Sequence, residues 1–531
     1  MSSLAAPLGV FAAALAARAA TAALITFPIP EGSAYYVAAA GNLATGRGLV
    51  VDVLWSYATP PFELPRPAFD LWQPLASLFA VPAMTLFGPS LASTQTAIIL
   101  IGALAAPLAW LIARDAAIEI GLPAVHVSVV ALGAGLLVAV TALLVVQSAE
   151  PDSSAPFTTL ALAACWLVPR ALAERRPSVR WRVLLGATIG LAYLTRQEAI
   201  YVAVAYLALA WWTQRGDGIR RSSVALAIAG LIVVPWLVRQ AVTWQASPFA
   251  QLLENAWWVE ATDIFAWSER PTLASHLALG LPGLVDLRLD AVLGNGGLLL
   301  LAAFPAAVLG LATLLALPRL AVLAALRPVA IAAVLTFALD SLAFPVASGA
   351  GLYAHGAGPT IVLLAILAAF GADRAVHSLS RIRGWRLMTS ALSPAALLAP
   401  AALVAVAFPL AALSATLEHE RAVEVRTDYA ALAVAVAAWD VAPYRPIVTD
   451  HPMWLAAALG RGGLALPRED AAAVADLARK LGARAVVVRD RDAEATFAQL
   501  PGYLAADGSP CFTALPAPPP FRAVAFTCGL P

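Results

Sequence analysis

Apolar segments of about 20 residues alternate with short polar segments along the first 415 residues of the chain. Because an α-helix needs about 20 apolar residues to cross a membrane, each such segment predicts a spanning helix. The clear segments are Leu4–Phe27, Leu91–Ala113, Ala124–Gln147, Ser154–Ala173, Val224–Val238, Gly297–Leu317, Val329–Phe344, Ala357–Ala372 and Met388–Leu413. Val183–Thr213 is long and is interrupted by Arg196-Gln197-Glu198, which predicts two short helices. Leu71–Phe87 is short and contains Pro74 and Pro82, so we expect it not to cross.

The distribution of arginine predicts the orientation, because short cytoplasmic loops collect Lys and Arg. With the N-terminus inside and about eleven spans, fifteen arginines fall in inner loops and six in outer loops before residue 415. The inner ones are Arg114, Arg170, Arg175, Arg176, Arg180, Arg182, Arg215, Arg220, Arg221, Arg319, Arg327, Arg374, Arg381, Arg383 and Arg386. The outer ones are Arg47, Arg66, Arg196, Arg239, Arg270 and Arg288. This model places the C-terminal tail on the extracytoplasmic side.

The composition agrees with a polytopic membrane protein and excludes the soluble and disordered classes. Hydrophobic residues make up 61% of the 531 positions and charged residues 12%, against about 45–50% and about 25% in soluble domains. A net charge of +1 gives no indication of nucleic-acid binding. Leu4–Phe27 is too long for the apolar core of a signal peptide, so we interpret it as an anchor and first span.

The tail differs in composition, since 24 of the 114 residues from Glu418 onward are charged. We therefore expect a transmembrane module over residues 1–414 and a soluble extracytoplasmic α/β domain over residues 415–531. Within the tail, Pro446–Thr449 and Ala483–Val488 have the pattern of strands, and Glu469–Leu481 that of a helix. Cys511 and Cys528 are able to pair in an oxidising compartment, with a free pair as the equal alternative. Cys165 lies in an apolar run and is predicted to be a core residue.

Glu31 is a candidate catalytic residue, because it follows the first span at the membrane boundary. A carboxylate at the top of a membrane cavity is suited to act as general base toward a hydroxyl group. Tyr35 lies four residues later, on the same face of a predicted helix. The alternative is that Glu31 only stabilises the N-terminus of that helix.

Glu150-Pro151-Asp152 is a second acidic candidate on the same predicted side as Glu31. Two carboxylates on one short loop are suited to bind a divalent cation or to orient an acceptor. The alternative is a solvated turn with a helix cap. A cation at Glu150 and Asp152 therefore stays open, and no other cofactor is indicated.

Arg196 and Arg239 are candidate phosphate-binding residues. Ionisable residues at membrane depth are costly, and a guanidinium group matches phosphate oxygens. The alternative for both is a side chain that extends to the interface. Arg18, inside the first span, is interpreted as a partner of an acid in the helix bundle. His355 lies in a glycine-rich outer loop and is either a substrate contact or a structural histidine.

Taken together, these segments resemble the glycosyltransferase-C superfamily, in the branch with protein O-mannosyltransferases and lipid A aminoarabinose transferases. The resemblance rests on Glu31-Gly32-Ser33-Ala34-Tyr35-Tyr36, on Gly41–Gly48, on Trp72–Leu75, on Glu150–Asp152 and on Gly190–Arg196. It covers Leu4–Gln245 well and the later spans weakly. Family members often have Asp, or an Asp-Glu pair, where this chain has the single Glu31.

The resemblance implies a mainly α, polytopic membrane enzyme that transfers a sugar from a polyprenyl phosphate to a hydroxyl group, with inversion, at the outer face of the cell membrane. It implies Glu31 as base, with Glu150 and Asp152 in the catalytic site. Arg196 and Arg239 would bind the donor phosphate, and Tyr35, Tyr36 and His355 would contact substrate. The acceptor is a glycan, a lipid or a protein. The rival interpretations are a transporter or lipid flippase, and a scaffold without catalysis; no internal repeat of the kind found in transporters is visible.

Overall fold

The computed structural model describes residues 4–173, 179–247, 249–383, 394–439, 441–490, 493–505 and 507–528, and they are mainly helical. The helices up to the middle of the chain are α1 Ala5–Leu24, α2 Glu31–Ala44, α3 Leu75–Phe87, α4 Leu91–Ala103, α5 Ala105–Glu119, α6 Ala124–Val140, α7 Ala142–Ala149, α8 Ser154–Leu172, α9 Val179–Tyr193, α10 Ala199–Trp244 and α11 Ala250–Asn255. The later helices are α12 Leu273–Leu277, α13 Gly280–Ala302, α14 Ala306–Ala316, α15 Arg327–Leu342, α16 Pro345–Ala347, α17 Tyr353–Gly356, α18 Gly358–Ile382, α19 Pro394–Ala438, α20 Pro452–Leu459, α21 Ala471–Leu481 and α22 Glu494–Gln499. The strands are β1 Val50–Val51, β2 Val53–Leu54, β3 Arg66–Pro67, β4 Ile447–Thr449, β5 Gly463–Ala465, β6 Ala485–Val488, β7 Phe512–Leu515 and β8 Arg522–Phe526.

The helix bundle reproduces the predicted spans. Within the described ranges, six helices are long and apolar enough to cross a membrane, and the number is nine if each of three bent helix pairs counts as one span. The other two predicted spans correspond to α9 and to Ala199–Gln214, which are shorter than a usual span. The chain is therefore a multi-pass membrane protein. Arg175, Arg176 and Arg386, which contributed to the predicted orientation, lie outside the described residues.

Three local features differ from the sequence interpretation. The first difference is that α10 is helical from Ala199 to Trp244 but is not straight. A Cβ atom added to Gly218 would lie only 2.1 Å from the carbonyl oxygen of Ala210. Eight residues of straight helix span about 12 Å, so α10 must fold back between these positions. The segment between the predicted spans Val224–Val238 and Gly297–Leu317 is also shorter than expected, because α13 begins at Gly280 despite the charges of Asp286, Arg288 and Asp290.

The third difference concerns Arg18, which bonds to no acid in the part of the chain that the structure describes. Its Nε donates to Oγ of Ser148 at 3.0 Å, and its Nη1 donates to the carbonyl oxygen of Ala139 at 3.2 Å. The bundle bends by 51° between α6 and α7, next to Ala139. Arg18 thus donates hydrogen bonds to oxygens at a break in the helix. The hydrocarbon of a membrane has no donors that could satisfy these oxygens.

The predicted α/β tail is present, and it shares its sheet with the segment between α1 and α4. This segment, residues 28–90, is predicted to lie on the outer side and is called the first outer loop. The six-stranded sheet has the order β2-β5-β4-β6-β8-β7, with parallel pairing from β2 to β6 and antiparallel pairing beyond. The predicted strands correspond to β4 and β6, and the predicted helix to α21, which Asp470 caps. Strand β2 was not expected, because it has only two residues. The boundary predicted at residue 415 lies inside the 45-residue helix α19.

The two ends of the bundle differ in chemistry. The sheet covers the end at which α1 finishes and α2 begins. At the other end, Arg170 pairs with Asp115 at 2.6 Å, and His126 pairs with Asp373 at 2.9 Å. Apolar α3 packs against α2 and α4, and its 13 residues reach only about 20 Å, too short to cross a membrane of about 30 Å. The candidate site lies at the end below the sheet, where Glu31 and Arg196 line a cavity.

Candidate active site

Glu31 is the first residue of α2, where the backbone N–H groups favour a negative charge. Its carboxylate has three further donors. Nε1 of Trp55 donates to Oε2 at 3.1 Å, and the backbone N–H of Met453 donates to Oε2 at 3.3 Å. Nδ1 of His451 lies 2.7 Å from Oε1. Glu31 is thus both a helix-terminal acid and a carboxylate fixed by the first outer loop and the tail.

The fold of the tail brings His451 to this position. Parallel strands β4 and β6 are neighbours, so their carboxyl ends meet at one edge of the sheet, where α/β folds commonly bind ligands. His451 follows β4 and Asp490 follows β6. Nε2 of His451 lies 2.9 Å from Oδ2 of Asp490, and the imidazole ring stacks on Trp454 with 4.1 Å between ring centroids. His451 therefore bridges a half-buried Glu31 and a more exposed Asp490.

Two cavities meet at Glu31. The larger, of about 440 Å³, lies at the ends of the helices below the sheet, and its lining includes Glu31, Tyr36, Asp152, Arg196 and His355. The smaller, of about 390 Å³, lies toward the tail and includes Glu31, Glu150, Glu418, Arg421, Asp450 and His451. Trp55 and Phe265 also line both. Glu31 therefore lines both cavities, at the place where they adjoin.

The two predicted acids after the third span have different surroundings. Asp152 lines the larger cavity and accepts the backbone N–H of Ser154 at 2.7 Å, so it is also a helix cap. Its Oδ2 lies 2.9 Å from Nδ1 of His355. Glu150 instead lines the smaller cavity, and its buried Oε1 has no hydrogen-bond partner among the described residues. The predicted joint action of Glu150 and Asp152 on one cation is therefore not supported by their positions.

Metal-ligating side chains are not clustered within the described ranges, where no group of three or more His, Cys, Asp and Glu residues has a geometry suited to a metal ion. Instead, each carboxylate of the larger cavity has a basic partner. Glu31 pairs with His451, Asp70 with Arg66, Asp152 with His355, and Glu198 with Arg196.

Arg196 is nine-tenths buried in the wall of the larger cavity, between α9 and α10. Its guanidinium donates to Oε1 of Glu198 through both Nε and Nη2, and Nη1 donates to Oγ of Ser153 at 3.1 Å. Its conformation is therefore fixed before any ligand binds. Arg239 is not among the residues that line either cavity. It lies over the ring of Trp236, 4.9 Å from the centroid, and donates to Gln240 at 2.7 Å.

The two predicted tyrosines have different positions. Tyr36 lines the larger cavity. Tyr35 is buried, accepts the backbone N–H of Phe69 at 2.5 Å and packs edge-on against Trp72. Tyr35 does not line either cavity, because the face of α2 that it shares with Glu31 turns into the packing against the first outer loop. The prediction that Tyr35 contacts substrate directly is not supported.

The pKa shifts at the site follow from burial and close pairing. Burial raises the pKa of Glu31, and the hydrogen bonds and charge of His451 offset only part of that rise. Burial opposes protonation of His451, but the hydrogen bonds to Asp490 and Glu31 and the charge of Glu31 outweigh it and raise its pKa to about 10. The hydrogen bond from His451 lowers the pKa of Asp490. The raised pKa of His451 therefore favours the imidazolium form between the two acids at neutral pH.

Sequence reasoning missed three polar residues of the site, His451, Asp490 and Glu198. The signal for the first two was available, since both follow strands that the sequence did predict, at the carboxyl ends where ligands commonly bind. Glu198 was visible only as part of the interruption at Arg196.

Comparisons with known proteins found a family model and solved structures that are similar to this chain. Residues 67–238 match the model of the dolichyl-phosphate-mannose-protein mannosyltransferase family. No curated protein sequence matches the chain. Among solved structures, ArnT from Cupriavidus metallidurans bound to undecaprenyl phosphate is similar, with a TM-score of 0.56, 16% identity and 98% of each chain covered. The apo oligosaccharyltransferase of Archaeoglobus fulgidus is similar with a TM-score of 0.52 and 14% identity, over 91% of this chain and 69% of that one. These findings confirm the predicted resemblance to the glycosyltransferase-C superfamily and its mainly α membrane fold.

Proposed function

We propose that this membrane protein of the glycosyltransferase-C type transfers a sugar from a polyprenyl phosphate to a hydroxyl group of an acceptor, at the outer face of the cell membrane and with inversion. The observation that carries the proposal is the position of Glu31, whose carboxylate lines two cavities at the membrane boundary. A transferase needs this arrangement, because donor and acceptor must reach one base from separate sites.

The larger cavity is the better candidate for the donor. It holds Arg196 and His355, the two basic side chains in its lining, and both are oriented by carboxylates. Preorganised donors stabilise the charge that develops on a leaving phosphate more effectively than mobile ones. The relative from Cupriavidus metallidurans was solved with undecaprenyl phosphate, which is a lipid of the required kind.

The smaller cavity is then the candidate for the acceptor. Glu31 would take the proton of the acceptor hydroxyl, and the resulting oxygen would attack the anomeric carbon of the donor. The bond between that carbon and the phosphate oxygen breaks on the opposite face, so the configuration inverts. Arg196 and His355 would receive the leaving phosphate. Asp152 acts on the reaction through His355, and Glu150 contacts the acceptor side.

The direct test is a transfer reaction with the purified chain in detergent or nanodiscs, supplied with labelled polyprenyl-phosphate sugars and a membrane extract as acceptor. We expect release of free polyprenyl phosphate together with label on the acceptor, with no use of nucleotide sugars. A parallel reaction with EDTA measures whether a divalent cation is required. Movement of the lipid across vesicles without release of polyprenyl phosphate would contradict the proposal and support the flippase interpretation.

A further inference from the structure

The tail contributes charged side chains directly to the base. His451 contacts Oε1 of Glu31 through Nδ1 and Asp490 through Nε2, and its ring stacks on Trp454. Nε1 of Trp454 in turn donates to the carbonyl oxygen of Ile29 at 2.8 Å, two residues before Glu31. The imidazole is thus held on both of its nitrogens and on one face, with 19% of its side chain exposed.

We propose that His451 is a positioning residue whose imidazolium keeps the buried carboxylate of Glu31 ionised and directed toward the junction of the two cavities. This inference rests on the proposed function. A carboxylate that is removed from water takes up a proton unless an opposite charge is close, and a protonated Glu31 is unable to accept the proton of a hydroxyl group. Among the described residues, His451 is the basic side chain that lies closest to Glu31.

Asp490 completes the arrangement from the solvent side. Its Oδ1 accepts from Nη1 of Arg489 at 3.0 Å, and Arg489 is bound to Asp428 of α19 at 2.8 Å. Oδ2 of Asp450 accepts the backbone N–H groups of Arg489 and Asp490, at 2.8 Å each, and so fixes the end of β6 beside the end of β4. The carboxylate of Asp490 therefore holds His451 in its protonated form.

Other charges also face this group and must be counted in any dependence on pH. They come from the turns after β4 and β6, from α19, from the turn between α7 and α8, and from across the larger cavity. These residues are Asp450, Arg489, Asp490, Glu418, Arg421, Glu150, Asp152, Arg196 and Glu198. No hydrogen bond joins any of these side chains to Glu31 in the described part of the chain, whereas His451 bonds to it directly. Removal of His451 should therefore change the protonation of Glu31 most.

The experiment measures kcat/KM for transfer across about pH 5–9, where carboxylates and histidine titrate, with wild type, His451→Gln, Asp490→Asn and His126→Gln. In His451→Gln we expect the acidic limb to lie at higher pH, with a loss of about 10-fold or more at neutral pH that is recovered as the pH rises. Asp490→Asn should shift the limb in the same direction by less. His126→Gln removes an equivalent bond, to Asp373, about 20 Å along α6 from Val140, and should keep the wild-type profile.

A loss of rate that is equal at every pH, or an unchanged profile in both site variants, would overturn the inference. If His451→Gln fails to fold, the pH profile of Asp490→Asn is the test, because Asp490 is more exposed and its substitution disturbs packing less. Infrared spectroscopy provides a readout that needs no turnover, since the protonated carboxyl band of Glu31 is identified as the signal missing in Glu31→Gln. That band should persist to higher pH in His451→Gln. If His451→Gln shows this shift but the wild-type protein releases no polyprenyl phosphate, the proposed function alone is contradicted.

Discussion

Nδ1 of His451 lies 2.7 Å from Oε1 of Glu31, although the two residues are 420 positions apart in the chain. The contact joins the first outer loop to the tail at the junction of two cavities. The tail is therefore part of the candidate site rather than an appendage to the membrane module, and its side chains enter every prediction about the base.

Glu31→Gln tests the base itself. Glutamine keeps the size of the side chain but is unable to accept the proton of the acceptor, so transfer should fall by at least about 100-fold, the lower end of what general bases contribute. Binding of a polyprenyl phosphate, measured separately, should stay near the wild-type value. Turnover close to that of wild type would exclude Glu31 as base and direct attention to Glu150 and Asp152.

Arg196→Lys tests recognition of the donor phosphate. Lysine keeps the charge but loses the planar fork that Glu198 and Ser153 orient. We expect donor affinity and rate to fall by about 10- to 100-fold, as for loss of a hydrogen bond to a charged group. Arg239→Lys is the matched comparison, since Arg239 stacks on Trp236 outside the cavity lining. A larger effect at Arg239 than at Arg196 would reverse the assignment.

The side of the membrane on which the tail lies is open to direct measurement. Tyr444→Cys places a thiol at a position in the tail with 78% exposure, and Arg383→Cys places one at the exposed end of α18. In intact cells, a maleimide that does not cross membranes should label the first variant only. The native cysteines interfere little, because Cys165 is buried and the other two are bonded to each other. Labelling of Arg383→Cys alone would invert the orientation.

The bond between Cys511 and Cys528 confirms that these two cysteines pair, and it closes a loop of the tail sheet with a sequence separation of 17. A loop of this length contributes about 3 kcal/mol through the unfolded chain. Reductant should therefore lower the Tm of the wild-type protein. The double variant Cys511→Ser/Cys528→Ser should already have the lower Tm and should show no further response to reductant, whereas a response there would point to another cause.

His451 also predicts a dependence of stability on pH. Its pKa is raised in the folded protein from 6.5 to about 10, so its contribution is fully present below about pH 6.5 and is lost as the pH rises through about 10. The Tm of the wild type should fall across that interval, and the fall should be smaller in His451→Gln. An equal fall in both proteins would show that other groups cause it.

Much of the fold was predictable, because long apolar segments have few alternatives in a membrane. The spans and the α/β character of the tail could be expected from local sequence. That Glu31, Asp152, Arg196 and His355 line one cavity depends on how the helices pack, and only the family resemblance implied it. The place of His451 could not, since it depends on how the sheet docks on the bundle. The expectation that Tyr35 contacts substrate is not supported for the same reason. Its burial depends on contacts with Phe69 and Trp72, and its spacing from Glu31 gives no information about them.

Strand β2 sets an order of events during synthesis. Val53 pairs with Gly463, so the edge strand β2 is synthesised 410 residues before its partner β5. At about 5–20 residues per second, the ribosome needs roughly 20–80 s to supply that partner. During this interval β2 has no partner strand, and Glu31 has no contact with His451. The contact between Glu31 and His451 therefore forms late in synthesis, and a chain interrupted before β4 would contain Glu31 without its imidazole partner.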